Sequence, residues 1–184
     1  GYDLFGKAIL KILDKYKDWK AFVIGDELRE KIIFKHQNLK ILGFLKHKDV
    51  LNIFNKTSIA VACSRWEEPF GRTSLEASSR GCSVIISNRG GLPETITNGI
   101  ILNKLNYLEL YKAIEELILN IKKRQELQRL SIKNFYLTHK YVSKKIDDYR
   151  DNILQKRTEQ FNIKAHKPLK ILHVTNFNER HNGR

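Results

Sequence analysis

Short apolar segments alternate with amphipathic segments along the first 119 residues, and this alternation restricts the possible folds more than any other feature. Residues 58–63 and Ser83–Ser87 are almost continuously apolar or small, which is typical of strands buried on both faces. Between such runs, apolar residues recur at helical spacing. Alternating strands and helices predict an α/β fold with a parallel sheet and helices on both faces. We predict strands at 21–24, 39–45, 58–63, Ser83–Ser87 and Gly99–Leu102, and helices at 2–17, 49–55, 72–80 and Tyr107–Leu119.

The rest of the chain has a different pattern. Residues 121–154 are helical in their spacing and strongly charged, residues 155–168 are polar and aperiodic, and a strand-like apolar run begins at Leu169. The sequence therefore predicts a domain at 1–154, a linker at 155–168 and, at 169–184, the opening strand and loop of a possible following domain. Because the chain contains no methionine and its last strand has no partner after it, we expect a fragment of a longer protein.

The chain is strongly basic, with 34 Lys and Arg residues against 20 Asp and Glu residues and a net charge of +14. Such a charge is compatible with a nucleic-acid-binding face. The lysines are scattered over the predicted helices, however, which favours a solvated basic surface, and we predict no nucleic-acid partner. Attraction to phosphate-bearing ligands or anionic lipid is expected in either case, so a peripheral membrane contact stays open.

Membrane-spanning and metal-binding proteins are disfavoured by the sequence. The longest apolar runs fall far short of the roughly 20 residues that a membrane-spanning helix needs. Cys63 and Cys82 both lie in strand-like runs, so we expect core thiols and a reducing, cytoplasmic compartment, which includes the inner face of the membrane. The six histidines are too widely spread to predict a metal site.

One loop and the helix after it carry the residues most indicative of chemistry. The loop ends at Gly71, and the first N–H groups of the predicted helix, at Arg72 and Thr73, can bind an anion together with the helix dipole. Glu68 precedes this point and Glu76 lies one turn inside the helix, so one carboxylate can lie on each side of the anion. Carboxylates bind the paired hydroxyl groups of a ribose or hexose well. A phosphate between two such carboxylates predicts a nucleotide-sugar site.

The same residues also have a purely structural interpretation. Glu68 can cap the following turn, and Glu76 can pair with Arg72 or Arg80 at helical i,i+4 spacing. Trp66, next to the glutamates, either borders a bound sugar or is buried beneath the loop. The residues by themselves leave these alternatives open.

The run Glu68-Pro-Phe-Gly-Arg-Thr-Ser-Leu-Glu76, together with Gly90-Gly-Leu-Pro-Glu94, closely resembles the C-terminal, donor-binding domain of the family 4 retaining glycosyltransferases. These enzymes have a GT-B fold of two Rossmann-like domains and a Glu-x7-Glu motif. The resemblance covers about residues 1–150. It implies a glycosyltransferase that moves a hexosyl group from a UDP- or GDP-linked sugar to a hydroxyl acceptor with retention of the anomeric configuration.

The resemblance also implies a role for each residue of the site. Glu68 is implied as the catalytic residue, which contacts hydroxyl groups of the donor sugar, and Glu76 as the residue that binds the ribose. The other implied donor-binding residues are Phe70 and Gly71 along the sugar, Arg72 and Thr73 at the distal phosphate, and Gly43, Phe44 and Leu45 near the base. Backbone amides and basic side chains offset the diphosphate charge in this family, so the resemblance implies no metal and no other cofactor.

Parts of the family's site are expected to lie outside this sequence. An arginine and a lysine that contact the diphosphate would precede Gly1, together with the first, central strand of the sheet and the acceptor domain, so the Rossmann-like fold is expected to be incomplete at its N-terminus. Arg72 stands where the family usually has an aliphatic residue. Arg65 or Arg89 either compensates for the missing charge or is a surface or loop residue. We therefore expect this chain alone to bind the donor weakly and to be inactive.

Two hypotheses account for the apolar run at 169–175. It resembles the opening strand of a GT-B acceptor domain, which predicts tandem glycosyltransferase modules in the full gene product. Alternatively, it fills the vacant central position of the sheet, beside Val23 and Val61. The acceptor, a sugar or a lipid-linked glycan, would bind through the missing N-terminal domain. A rival function is a non-catalytic nucleotide- or nucleic-acid-binding module on the same basic α/β scaffold.

Overall fold

The computed structural model describes residues 1–25 and 34–161. The chain divides into two compact units, Gly1–Thr138 and His139–Arg184. The hypotheses for residues 169–175, the possible domain at 169–184 and the part of the predicted linker beyond Phe161 lie outside the described residues and stay predictions.

The first unit consists of short parallel strands and the helices between them. Its described strands are β1 (Ala21–Val23), β2 (Leu39–Ile41), β3 (Ile59–Ala62), β4 (Ser83–Ser87) and β5 (Gly99–Leu102). Its described helices are α1 (Tyr2–Lys15), α2 (His47–Phe54), α3 (Arg72–Ser79), α4 (Tyr107–Leu119) and α5 (Ile121–Lys133), with a 3-10 helix at Leu92–Thr95.

All described strand pairs are parallel. β1 pairs with β2, with Ala21 opposite Leu39, and β4 lies between β3 and β5, with Val84 opposite Ala60 on one side and Gly99 on the other. Every residue of β4 is buried, which is the pattern of a central strand covered on both faces. The predicted α/β architecture of parallel strands flanked by helices is confirmed.

The core lies on both faces of β4 because successive side chains of a strand point in opposite directions. Ile85 packs in a cluster with the buried faces of α1 and α4, including Leu13 and Leu117. Val84 and Ile86 pack in a second cluster with residues of α2 and α3. Cys63 and Cys82 are buried free thiols, as expected, and burial raises the pKa of Cys82 to about 12.

Several boundaries differ from the predicted ones. β2 ends at Ile41 instead of residue 45, and the chain then turns through Gly43, whose φ is +64°. The helical pattern of 121–154 is interrupted after α5, since Asn134 ends that helix and α6 (His139–Phe161) begins five residues later. α6 also continues into the predicted linker. Residues 155–161 lack glycine and proline and are rich in good helix formers, so helical propensity extends the helix where apolar periodicity stops.

α6 is the described part of the second unit. Its side chains through Arg157 are exposed. Among the described residues of both units, no helix combines the length and the apolar character that crossing a membrane requires.

A cluster of four side chains joins α1 to α4 and makes the stability of the first unit dependent on pH. Glu115 Oε1 accepts hydrogen bonds from Lys15 Nζ at 2.8 Å, Tyr111 Oη at 2.5 Å and Tyr16 Oη at 3.0 Å. The Lys15 ammonium, followed by the Tyr111 hydroxyl, lowers the pKa of Glu115 from 4.5 to about 2. The folded state therefore gains stability from the ionised carboxylate above about pH 4.5 and loses it as the pH falls toward 2.

We expect Glu115→Gln to reduce this acid dependence. The free energy of unfolding, measured by urea denaturation between pH 7 and pH 3, should fall less steeply for the variant than for the wild type. Glu109→Gln is the matched control on the same helix, since that carboxylate lies 3.7 Å from Lys112 and outside the cluster. Equal slopes for wild type and Glu115→Gln would contradict the assignment.

Candidate functional site

The loops that follow β1, β2 and β3 line one cavity of about 2140 Å³. The cavity also runs along β1 and β3 and against α1, and these loops form the part of it at the carboxyl ends of the strands, where ligands bind in parallel α/β sheets. The predicted site residues that line the cavity are Phe44, Leu45, Glu68, Phe70, Gly71, Arg72, Thr73 and Glu76. Gly43 is the one predicted residue outside this lining, but its carbonyl accepts the N–H of Gly25, a lining residue, at 2.9 Å.

The loop after β3 is held in place by the turn after β4. Ser87 Oγ donates to the Ser64 carbonyl at 2.8 Å, and the Gly91 N–H donates to the Glu68 carbonyl at 2.7 Å. The approach of the two segments leaves no room for side chains at Gly90 and Gly91. A Cβ at Gly90 would lie 2.3 Å from the Glu68 carbonyl oxygen, and one at Gly91 would lie 2.5 Å from that of Pro69. The glycine pair therefore sets the position of Glu68.

Two adjacent glutamates in this loop have different environments. Glu67 accepts from Arg89 Nη1 at 2.8 Å and from the Gly90 N–H at 2.5 Å, and these partners lower its pKa, the arginine contributing most. Glu68 is half-buried, and its carboxylate has no hydrogen-bonding or ionic partner among the described residues. Glu67 thus stabilises the loop, and Glu68 is the carboxylate available to a ligand.

The N-terminus of α3 faces the same cavity. Gly71 is its N-cap, with a left-handed φ of +83°, and a Cβ there would lie 2.4 Å from a methyl carbon of Leu92. No side chain of the described residues caps this helix end, and Arg72 and Thr73 are exposed. The first N–H groups of α3 and the helix dipole can therefore hold an anion.

Glu76 has two cationic or hydrogen-bonding partners. Arg72 Nη2 lies 3.2 Å from Glu76 Oε1, which is the i,i+4 pair considered from the sequence. His47 Nε2, on α2, lies 3.0 Å from the same oxygen. No sequence pattern indicates this second contact, because the two residues are far apart in the chain and meet only through the packing of α2 on α3.

For the remaining candidate residues, contacts or exposure decide between the alternative roles considered from the sequence. Trp66 is 74% exposed, so burial beneath the loop does not occur, and Phe44 is 84% exposed. Arg65 binds the Asp3 carboxylate with Nε at 3.1 Å, and Arg89 binds Glu67, so both have the structural roles considered for them. In the described ranges, no group of three or more His, Cys, Asp or Glu side chains has the arrangement to hold a metal ion.

Residues 1–133 match the family model described as Glycosyl transferases group 1. The chain belongs to this family. The glycosyltransferase resemblance is confirmed at that level, and membership of family 4, retention and the role of the Glu68-x7-Glu76 pair stay predictions.

Proteins from bacteria and humans are similar to this group 1 glycosyltransferase chain. Spore coat protein SA of Bacillus subtilis is 33% identical over 142 residues, which are 68% of this chain and 38% of that protein. One component of the human phosphatidylinositol N-acetylglucosaminyltransferase is 33% identical over 131 residues, which are 66% of this chain and 27% of that protein. The chain therefore spans well under half the length of these curated relatives.

Solved structures have the same fold. The C-terminal domain of a glycosyl transferase group 1 family protein (LpcC) from Francisella tularensis matches with a TM-score of 0.64 and 26% identity, covering 72% of this chain and 76% of that one. Anabaena HepE, solved in complex with UDP-glucose, matches with a TM-score of 0.59 and 21% identity over 73% of this chain and 41% of that one. The fold of the first unit is that of a GT-B C-terminal domain.

Proposed function

We propose that this chain is the donor-binding part of a retaining, family 4 glycosyltransferase that takes a hexosyl group from a nucleoside-diphosphate sugar. Three features that line one cavity carry the proposal: the Glu68 carboxylate, the N-terminus of α3 and a second carboxylate, Glu76. Among residues 1–25 and 34–161, no side chain pairs with the Glu68 carboxylate or caps the helix. A nucleotide sugar presents hydroxyl groups, phosphates and hydroxyl groups in that order.

Each part of the donor has a partner in this arrangement. Glu68 accepts hydrogen bonds from the sugar hydroxyls, and the backbone of Phe70 and Gly71 runs along the sugar. The N–H groups at Arg72 and Thr73 hold the distal phosphate. Glu76 then accepts from the ribose hydroxyls, and the backbone at 43–45 lies near the base.

Catalysis in this proposal consists of stabilising charge. The bond between the anomeric carbon and the diphosphate oxygen breaks, leaving its electron pair on the diphosphate, and a bond from that carbon to the acceptor oxygen forms on the same face. The hydroxyl proton of the acceptor passes to the leaving diphosphate, on which negative charge grows during the step. In this proposal the helix N-terminus and the Arg72 guanidinium offset this charge, so no metal ion is needed. Glu68 acts on the sugar as an electrostatic and positioning group.

The partners and location belong to the same proposal. HepE, which shares the fold, binds UDP-glucose, and this supports a nucleotide sugar as the ligand class. The acceptor would be a sugar or a lipid-linked glycan bound by another part of the longer protein. A cytoplasmic location with peripheral contact to the inner membrane face agrees with such an acceptor.

The test is a ligand-observed NMR titration of the chain with UDP, GDP, ADP and their glucose conjugates. We expect one of the diphosphates to bind. Glu68→Gln should raise the dissociation constant of the matching nucleotide sugar by about tenfold and leave that of the bare diphosphate unchanged, because hydrogen bonds to an ionised group contribute about 1.5–3 kcal/mol. Glu126→Gln on α5, whose carboxylate pairs with Arg129, is the control. A folded wild type that binds none of these ligands would refute the donor site.

A salt titration distinguishes the proposed donor site from the rival nucleic-acid-binding function. Binding driven by phosphate contacts to nucleic acid weakens steeply with salt and does not depend on the glutamates. Tight, salt-sensitive binding of an oligonucleotide that survives Glu68→Gln and Glu76→Ala would favour the nucleic-acid-binding module.

A further inference from the structure

His47 connects two parts of the candidate site. It is the first residue of α2 and directly follows the loop 42–46, which includes the residues proposed to lie near the base. Its imidazole Nε2 lies 3.0 Å from Glu76 Oε1 on α3, and its side chain, 59% exposed, lines the same cavity as Glu76. One side chain therefore joins the base-side loop to the carboxylate proposed for the ribose.

Both partners of Glu76 contact the same carboxylate oxygen. Arg72 Nη2, at 3.2 Å, and His47 Nε2 both lie near Oε1. Among the described residues, Oε2 has no partner, so it keeps its full capacity to accept hydrogen bonds. The contacts to Oε1 orient the carboxylate without occupying the oxygen that a diol needs.

The two partners do not constrain Glu76 equally. Arg72 is on the same helix as Glu76 and is 75% exposed, so its contact is an ordinary surface i,i+4 pair. The contact from His47 crosses from another helix and involves a short, stiff side chain. It therefore also links the base-side loop to the ribose-side carboxylate.

We propose that His47 is a positioning residue for the donor's ribose, which holds Glu76 so that Oε2 receives the hydroxyl groups. This rests on the proposed function, specifically on Glu76 as the ribose ligand. His47 acts through Glu76 and contributes to recognition of a ribose diol over a sugar that lacks one.

The experiment compares each nucleoside diphosphate with its 2′,3′-dideoxy form, using the whole chain and UDP, GDP and ADP as probes. We expect His47→Ala to raise the dissociation constant of the diphosphate that binds by about tenfold and to leave that of its dideoxy form within about twofold. His47→Gln, whose side-chain amide can donate a hydrogen bond to the carboxylate, should recover part of the loss. Lys48→Ala removes an exposed positive charge from the next position of α2 and is the charge control.

The outcomes distinguish this inference from the proposed function. A wild type that binds no diphosphate, or binding that survives Glu76→Ala, overturns the proposed function and the role of His47 with it. Binding that depends on Glu76 while His47→Ala behaves as the wild type overturns the role of His47 alone. If His47→Ala weakens the binding of the ribose and dideoxy ligands equally, the role of His47 is also overturned, because the variant has then changed the fold of the loop and not the recognition of the ribose.

Discussion

Replacing Glu76 by alanine is expected to raise the dissociation constant of a nucleoside diphosphate by about 10- to 100-fold. In the proposed site this carboxylate accepts hydrogen bonds from the ribose, and such bonds to an ionised group contribute about 1.5–3 kcal/mol. The Glu76 side chain is only 19% exposed, so water replaces the lost partner poorly. The measurement is an NMR or calorimetric titration with UDP, GDP and ADP at constant ionic strength.

The folded state should tolerate this change. The two partners of Glu76 are exposed side chains, and surface pairs of this kind contribute about 0–1 kcal/mol to stability. Glu109→Ala removes a carboxylate with a comparable surface partner on α4 and should leave ligand binding unchanged. A folded Glu76→Ala variant that binds as tightly as the wild type would contradict the ribose assignment.

Gly90→Ala is expected to lower both the stability of the first unit and the affinity for the nucleotide sugar. The residue has a left-handed φ of +51°, and its Cβ would lie 2.3 Å from the Glu68 carbonyl oxygen and 2.7 Å from the Glu68 nitrogen. Left-handed strain and steric overlap together correspond to roughly 3 kcal/mol of unfolding free energy. Because the overlapping atoms are backbone, relief requires the loop to move, and Glu68 moves with it.

Gly43→Ala is the matched control for strain without overlap. Its φ is +64°, and a Cβ there meets no atom within 4 Å, so the expected cost is about 1–2 kcal/mol. Urea denaturation compares the stability of the two variants. Titration of Gly90→Ala alone with the nucleotide sugar measures the displacement of Glu68, because Gly43 belongs to the loop proposed to lie near the base. If Gly90→Ala cost no more than Gly43→Ala, the close approach of the two loops would not be a determinant of the site.

The elements predicted most accurately are those whose sequence pattern matches their burial. β4, β5 and α4 have the predicted bounds, because β4 is buried on both faces and Asn106 caps α4 by accepting the Glu109 N–H at 2.9 Å. β2 was predicted too long, since the chain turns at Gly43, and Phe44 and Leu45 line the cavity instead of continuing the sheet.

The candidate site, too, was predictable from the sequence only in part. The motif between Glu68 and Glu76 is continuous in the chain, so its loop, N-cap and helix were predictable from local chemistry. The partners of its carboxylates were not. Whether Glu67 or Glu68 is available depends on Arg89 and Gly90 from the turn after β4, and the orientation of Glu76 depends on His47 from α2.

The sequence alone therefore determined the class of fold, the order of strands and helices, and the segment that carries the candidate chemistry. These properties depend on the periodicity of side chains and on residues a few positions apart, which the linear order of the chain contains. Only the tertiary structure decided which glutamate is unpartnered among the described residues, why residues 90 and 91 have to be glycine, and which side chain orients Glu76. These depend on contacts of a few ångströms between segments far apart in the chain, and such distances exist only once the helices and loops have packed.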